Sequence, residues 1–169
     1  MKKIYFAGKF KLDSDTGLSL GERLRDDFRA RLLGSGERLA IANEGVMLTA
    51  DVCYAGPFYC EAASSGEYTS TDCMAVLSAE RRAALECDSY VAVFGESFSV
   101  GTVVELGWAI EADKEIYILY KEEKSRYSIA SEYWFAIADA ISRGRDVRIF
   151  SYSSEEEIVT ITEREILGK

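Results

Sequence analysis

The sequence predicts an α/β protein: a single domain on a doubly wound, mostly parallel sheet of about five strands with helices on both faces. Three observations carry this expectation. Short apolar runs rich in β-branched and aromatic residues alternate with segments of helical period from end to end. Glycines or small polar residues stand where most of these elements should stop. The 169 residues contain one proline, Pro57, so no proline-rich linker divides a chain of single-domain length.

The elements follow in order. Lys3-Ile-Tyr-Phe-Ala7 is a buried strand in character, closed by Gly8. From Ser19 to Leu33 apolar residues recur at helical spacing (Leu20, Leu24, Phe28, Leu32), and Gly34-Ser-Gly36 ends the run. Residues 39–42 and 46–52 both have strand character. Residues 54–70 mix small, polar and aromatic side chains and read as a long loop, a kind that is usually functional or mobile. A helix is predicted over 71–87, with Met74, Leu77 and Leu85 in register. Ser89-Tyr-Val-Ala-Val-Phe94 has the unbroken apolar character of a central parallel strand. The loop from Gly95 to Gly101 leads into a helix over 102–112, and Glu115-Ile-Tyr-Ile-Leu-Tyr120 is the next strand. A helix over 129–142 carries Tyr133-Trp134-Phe135 and stops at Gly144. Residues 146–150 form the last strand, and Ser154 caps a terminal helix running to about Leu167. In such flavodoxin-like or Rossmann-like sheets, ligands sit at the carboxyl ends of the strands near the switch in strand order. Three segments should meet there: Gly8-Lys9-Phe10, Gly95 to Gly101, and the 54–70 loop.

Composition excludes several functions. Apolar residues make up 48% and charged residues 29%, the balance of a folded protein. With 29 acidic against 20 basic residues the formal charge is −9, and no basic patch is concentrated anywhere. A nucleic-acid polymer or an anionic membrane surface is therefore not an expected partner. The apolar run after Lys2-Lys3 is too short for a signal peptide, and no stretch is long enough to span a bilayer. Cysteines at 53, 60, 73 and 87 form no C-x-x-C pair, and there is no histidine. Structural zinc is not expected on that spacing, no cofactor is implied, and reduced thiols in a cytoplasmic protein are the natural reading. Without histidine, Ser-His-Asp and Cys-His machinery is impossible. Proton and nucleophile chemistry falls to carboxylates, hydroxyls or tyrosines.

Glu105 is the leading candidate. It is a lone carboxylate among Val100, Val103, Val104, Leu106, Trp108 and Ile110, at the predicted start of a helix beside the ligand-binding edge. Thr102-Val-Val-Glu105 also spells a capping box, in which Glu105 would only reach back to the Thr102 amide. Its position after a buried strand argues for chemistry instead. Gly101 and Gly107 would let backbone or ligand approach, and a helix N-terminus would keep the carboxylate ionised, as a nucleophile requires.

Three segments in order resemble the nucleoside 2-deoxyribosyltransferase family: Lys3-Ile-Tyr-Phe-Ala-Gly8, Cys87-Asp-Ser-Tyr-Val-Ala-Val-Phe94 and Gly101-Thr-Val-Val-Glu-Leu-Gly-Trp-Ala109. Tyr54-Ala-Gly-Pro-Phe-Tyr59 is similar to a Y-x-G-P-F element of some members, so the resemblance spans residues 3–120. It implies that Glu105 attacks the anomeric carbon of a deoxynucleoside, releasing the base and forming a covalent sugar–enzyme ester that a second base or water resolves. It implies that Tyr5 lies beside the nucleophile and orients it. Gly8, Lys9, Phe10, Pro57, Phe58, Ser99, Gly101 and Thr102 become candidate substrate contacts, with Phe58 offering a surface for a base to stack on.

The chain departs from the family pattern at three places. Ser99 stands where an aspartate usually precedes the glycine, and Lys9 where proline is common. Glu80, eight residues before Asp88, stands where an aspartate assists the departing base, making it the candidate general acid. Asp88 itself reads as a structural residue at a helix-to-strand junction.

The resemblance therefore implies an enzyme that cleaves the N-glycosidic bond of a (deoxy)nucleoside and transfers the sugar to a free nucleobase. Lys9 and Ser99 favour an alternative, hydrolysis of a nucleoside 5′-monophosphate; a catalytically silent nucleotide-binding module is a third reading. Tyr133-Trp134-Phe135 exceeds what one amphipathic face needs and points to a homo-oligomer, as the family also does.

Overall fold

The computed structural model describes residues 1–8, 50–56, 70–95, 100–122 and 137–168. Five strands form one sheet: β1 (Lys2–Ala7), β2 (Val52–Gly56), β3 (Ser89–Phe94), β4 (Glu115–Lys121) and β5 (Val147–Tyr152). Their spatial order is β2-β1-β3-β4-β5 and every pairing is parallel. Helices α1 (Ser70–Glu86) and α2 (Val100–Glu111) precede and follow β3, and α3 (Glu155–Ile161) continues into a π-helical turn, Thr162–Ile166. The predicted doubly wound α/β architecture is the one observed.

Side chains alternate between the two faces of the sheet and are buried on both. On one face Tyr5, Ala7, Tyr90 and Ala92 pack against Ala83 and Ala84 of α1 and Leu106 and Ala109 of α2. On the other, Ile4, Phe6, Val91 and Leu119 pack against Ile158, Ile161 and Ile166. All six residues of β3 are buried, which is why that strand reads as an unbroken apolar run. Truncating a fully buried side chain such as Leu119 to alanine would cost on the order of 2–5 kcal/mol.

The amino ends of the strands are tied by polar contacts. Glu115, first in β4, accepts from Lys2 Nζ at 2.7 Å, from Ser89 Oγ at 2.5 Å and from Tyr117 Oη at 2.7 Å, with Arg148 at 3.2 Å. Asp88 accepts the Lys3 amide at 2.7 Å, the structural junction role expected of it. The opposite, carboxyl edge is left for a site.

Boundaries differ from the sequence reading in informative places. Residues 54–56, read as the start of a loop, are the end of β2. Helix α2 begins at Val100, so Thr102 lies inside its first turn and Glu105 in its second. The helical segment at 137–142 stops at Gly144 as predicted, with φ of 73° there. Ser154 Oγ accepts the Glu157 amide at 3.3 Å, capping α3, but the terminal helix turns π-helical after Ile161. The predicted helix over 19–33, strand candidates 39–42 and most of 46–52, and the Tyr133-Trp134-Phe135 run lie outside the described residues. Cys53 and Cys87 are buried free thiols. Among the described residues, no helix is long and apolar enough to cross a membrane.

Candidate active site

The site is built where strand order reverses, between β1 and β3. Parallel neighbours in register project their side chains to the same face. Tyr5 and Tyr90 are such partners, both completely buried. Their rings stack with centroids 5.4 Å apart and planes 15° from parallel. On the far side of Tyr5, Ile4 pairs with Tyr54 but Tyr5 pairs with Gly56, so Ala55 is an extra residue and β2 bulges there. The bulge brings Gly56 under the Tyr5 ring, where any side chain would collide with it.

Helix α2 lays Glu105 over this tyrosine pair. The Tyr90 hydroxyl donates to the Thr102 carbonyl at 3.0 Å and lies 3.4 Å from Glu105 Oε2. The Tyr5 hydroxyl acts on the same carboxylate, favouring its charged form. Glu80 stands on α1, where the Glu105 charge acts on it. The Arg81 guanidinium lies 5.9 Å from the centre of the Trp108 ring, a contact that holds α1 against α2 beside the two acids.

Burial acts on both carboxyl groups. Burial pushes Glu80 up to about 7, and the neighbouring Glu105 charge adds to the effect. Burial raises Glu105 as well, and the Tyr5 and Tyr90 hydroxyls favour its charged form and oppose part of the rise. Burial first, then the Glu105 charge, drive Tyr90 well above its ordinary value, so it remains a phenol and a donor. Burial pushes the nearby Cys87 thiol up to about 12, leaving it neutral and unreactive. The result is a Glu80 that exchanges protons near neutrality beside a Glu105 whose charged form the two tyrosines favour against burial. Paired acids with raised values mark a candidate acid–base site. Among the described residues no group of three or more His, Cys, Asp or Glu side chains is placed to hold a metal ion.

The structure places Glu105, Tyr5 and Glu80 near enough to influence one another. Three expectations are corrected. The Thr102–Glu105 capping box gives way to a helix that starts earlier, with Glu105 directed at tyrosines. The carboxylate is supported by those tyrosines rather than by a helix terminus. Gly101 and Gly107 are exposed, and a side chain at either would meet nothing within 4 Å, so among the described residues the crowded glycine is Gly56. Thr102 is buried, and its carbonyl serves Tyr90. Gly8 is half-buried at the end of β1. Lys9, Phe10, Pro57, Phe58 and Ser99 lie outside the described residues. Sequence reasoning missed Tyr90 and Gly56. The signal for Tyr90 was available, since it is the one polar tip inside the apolar strand 89–94 apart from Ser89 at its start.

No protein-family model matches the sequence, and no curated protein matches it. Among solved structures, the CMP N-glycosidase BcmB of Clostridium botulinum has a similar fold, with a TM-score of 0.54 over 96% of this chain and 99% of that one. The two sequences are 18% identical, so what the likeness establishes is the shared α/β fold.

Proposed function

We propose that this protein cleaves the N-glycosidic bond of a nucleoside or nucleotide, with Glu105 as nucleophile and Glu80 as acid–base partner. The carrying observation is the half-buried Glu80–Glu105 pair, with Glu80 pushed up to about 7 and the Tyr90 hydroxyl 3.4 Å from Glu105 Oε2. A Glu105 oxygen attacks the anomeric carbon as the carbon–nitrogen bond breaks. The bonding pair leaves with the base, and the Glu80 proton goes to the base. Water or a second base then attacks the same carbon, and the ester bond returns its electron pair to Glu105. Glu80 takes the proton released by that nucleophile. Tyr5 orients the nucleophile, and Lys9, Phe10, Pro57, Phe58, Ser99 and Gly8 belong to the same proposal as substrate contacts.

Hydrolysis of a nucleoside 5′-monophosphate is the reading we favour, because the protein of similar fold is a CMP N-glycosidase and Lys9 suits a phosphate. The family resemblance of the motifs supports sugar transfer as the second reading. Incubation with CMP and with deoxynucleosides, each with and without an acceptor base, distinguishes them by chromatography. Free sugar or sugar phosphate supports hydrolysis, and exchange of bases supports transfer. A sugar adduct trapped on Glu105 and seen by mass spectrometry would establish the nucleophile. Turnover that survives Glu105→Gln would sink both readings; binding without turnover would favour a silent nucleotide-binding module.

A further inference from the structure

We propose that Tyr90 is a positioning residue for Glu105, its one hydroxyl proton alternating between the Thr102 carbonyl and the Glu105 carboxylate as that carboxylate is esterified and released. The inference rests on the reading of Glu105 as a nucleophile.

The Tyr90 oxygen has two acceptors in reach, Thr102 O at 3.0 Å and Glu105 Oε2 at 3.4 Å, but a phenol has one proton to donate. The two acceptors lie three residues apart on α2, one helical turn, so a single hydroxyl can serve both. The ring itself is fixed by complete burial and by stacking on Tyr5, which leaves rotation about the carbon–oxygen bond as the available motion. A charged carboxylate is the stronger acceptor and draws the proton. A glycosyl ester is neutral and weaker, so the proton returns to the helix carbonyl. The buried hydroxyl therefore has an acceptor at every stage, avoiding the cost of an orphaned polar group.

The consequence falls unequally on the two half-reactions. Stabilising ionised Glu105 makes it a better leaving group in the second step. Tyr90→Phe, which keeps the ring and the stack, should slow release of the ester more than its formation. The titratable groups around Glu105 and Tyr90 among the described residues are Tyr5 on β1, Glu80 on α1 and Cys87 just after it. Tyr5 and Glu80 remain in place in this variant, so a change in Glu105 reports on Tyr90.

The test uses the full chain labelled with 13C at the glutamate carboxyl carbons, the Glu105 signal being assigned by its absence in Glu105→Gln. In Tyr90→Phe the Glu105 midpoint should rise by about one pH unit, the acidic limb of kcat/KM with CMP should move with it, and ester should accumulate in the first turnover. Placing 3,5-difluorotyrosine at position 90, a stronger donor, should shift the midpoint downward instead. A midpoint unmoved by both replacements overturns the proposal, whatever the activity. Wild-type protein that turns over no nucleoside or nucleotide overturns the functional reading, while a moved midpoint would still support the Tyr90–Glu105 bond itself.

Discussion

Gly56 lies directly against the Tyr5 ring: a side-chain carbon at residue 56 would fall 2.7 Å from Tyr5 Cδ2 and closer still to Cε2. Strand β2 bulges one residue before this contact, so backbone geometry and ring position are coupled. Gly56→Ala should displace the Tyr5 ring from its place between Gly56 and Tyr90 at a cost of about 1–3 kcal/mol. Because Tyr5 also favours the charged form of Glu105 and stacks on Tyr90, turnover should fall roughly tenfold or more. Thermal unfolding and kcat/KM measured together check this; a variant with unchanged melting and turnover would show that the ring has room to spare.

Glu105→Gln should abolish turnover, by a factor on the order of a thousand or more, while leaving the fold intact. It should also act at a distance on Glu80. The Glu105 charge is the second cause of the raised Glu80 value and disappears with the substitution, whereas burial persists. The Glu80 midpoint should therefore drop below about 7 without returning to 4.5. Carbon NMR titration of the variant reads the shift, and an unmoved midpoint would mean that the two acids do not interact.

Glu80 also sets a stability trend. Its folded value of about 7 lies above the unfolded 4.5, so the native state holds the proton more tightly. The contribution to stability is full below 4.5 and is lost as pH rises to about 7. Glu80→Gln removes this loss and should be more stable than the parent at pH 8, by roughly 2 kcal/mol after allowance for solvent screening, with the gap closing toward pH 4. Urea midpoints across that range provide the measurement, and a gap that stays constant with pH would contradict it.

Glu115 should behave in the opposite sense at the other edge of the sheet. Partial burial acts to raise it, but hydrogen bonds from Lys2, Ser89 and Tyr117 outweigh burial and hold it at about 2. Its stabilisation is present above 4.5 and is lost as pH falls toward 2. Glu115→Gln should cost about 2 kcal/mol at pH 7 and nothing near pH 2. Turnover per folded molecule should be unchanged, because these contacts lie away from Glu105. Denaturant titration at both pH values, with activity at pH 7, checks each part.

Several features were legible without coordinates. The central strand 89–94 announces itself because burial on both faces leaves only one polar side chain, Ser89, at its start. Glu105 stands out because a lone carboxylate in an apolar stretch must be paired, solvated or used. The α/β order follows from the alternation of apolar runs and helical periods, which is written in local spacing. The boundaries near the site were not legible in the same way. Thr102-Val-Val-Glu105 matches a capping box in local pattern, and only the helix start at Val100 shows that Thr102 is already inside the helix. Gly56 falls within residues 54–70, which read as a loop for their mix of small, polar and aromatic side chains, whereas it is a strand residue demanded by the ring beside it.

What the sequence by itself determined is therefore the α/β alternation among the described residues and the identity of the lone carboxylate, both properties of spacing along the chain. What only the tertiary structure decided is the company that carboxylate keeps. Tyr5, Gly56, Glu80 and Tyr90 are far apart in sequence or on different elements, and parallel pairing of β1 with β2 and β3, with α1 and α2 packed above, brings them to one point. Strand register and helix packing are long-range choices, and the protonation of Glu80 and Glu105 follows from the burial those choices impose.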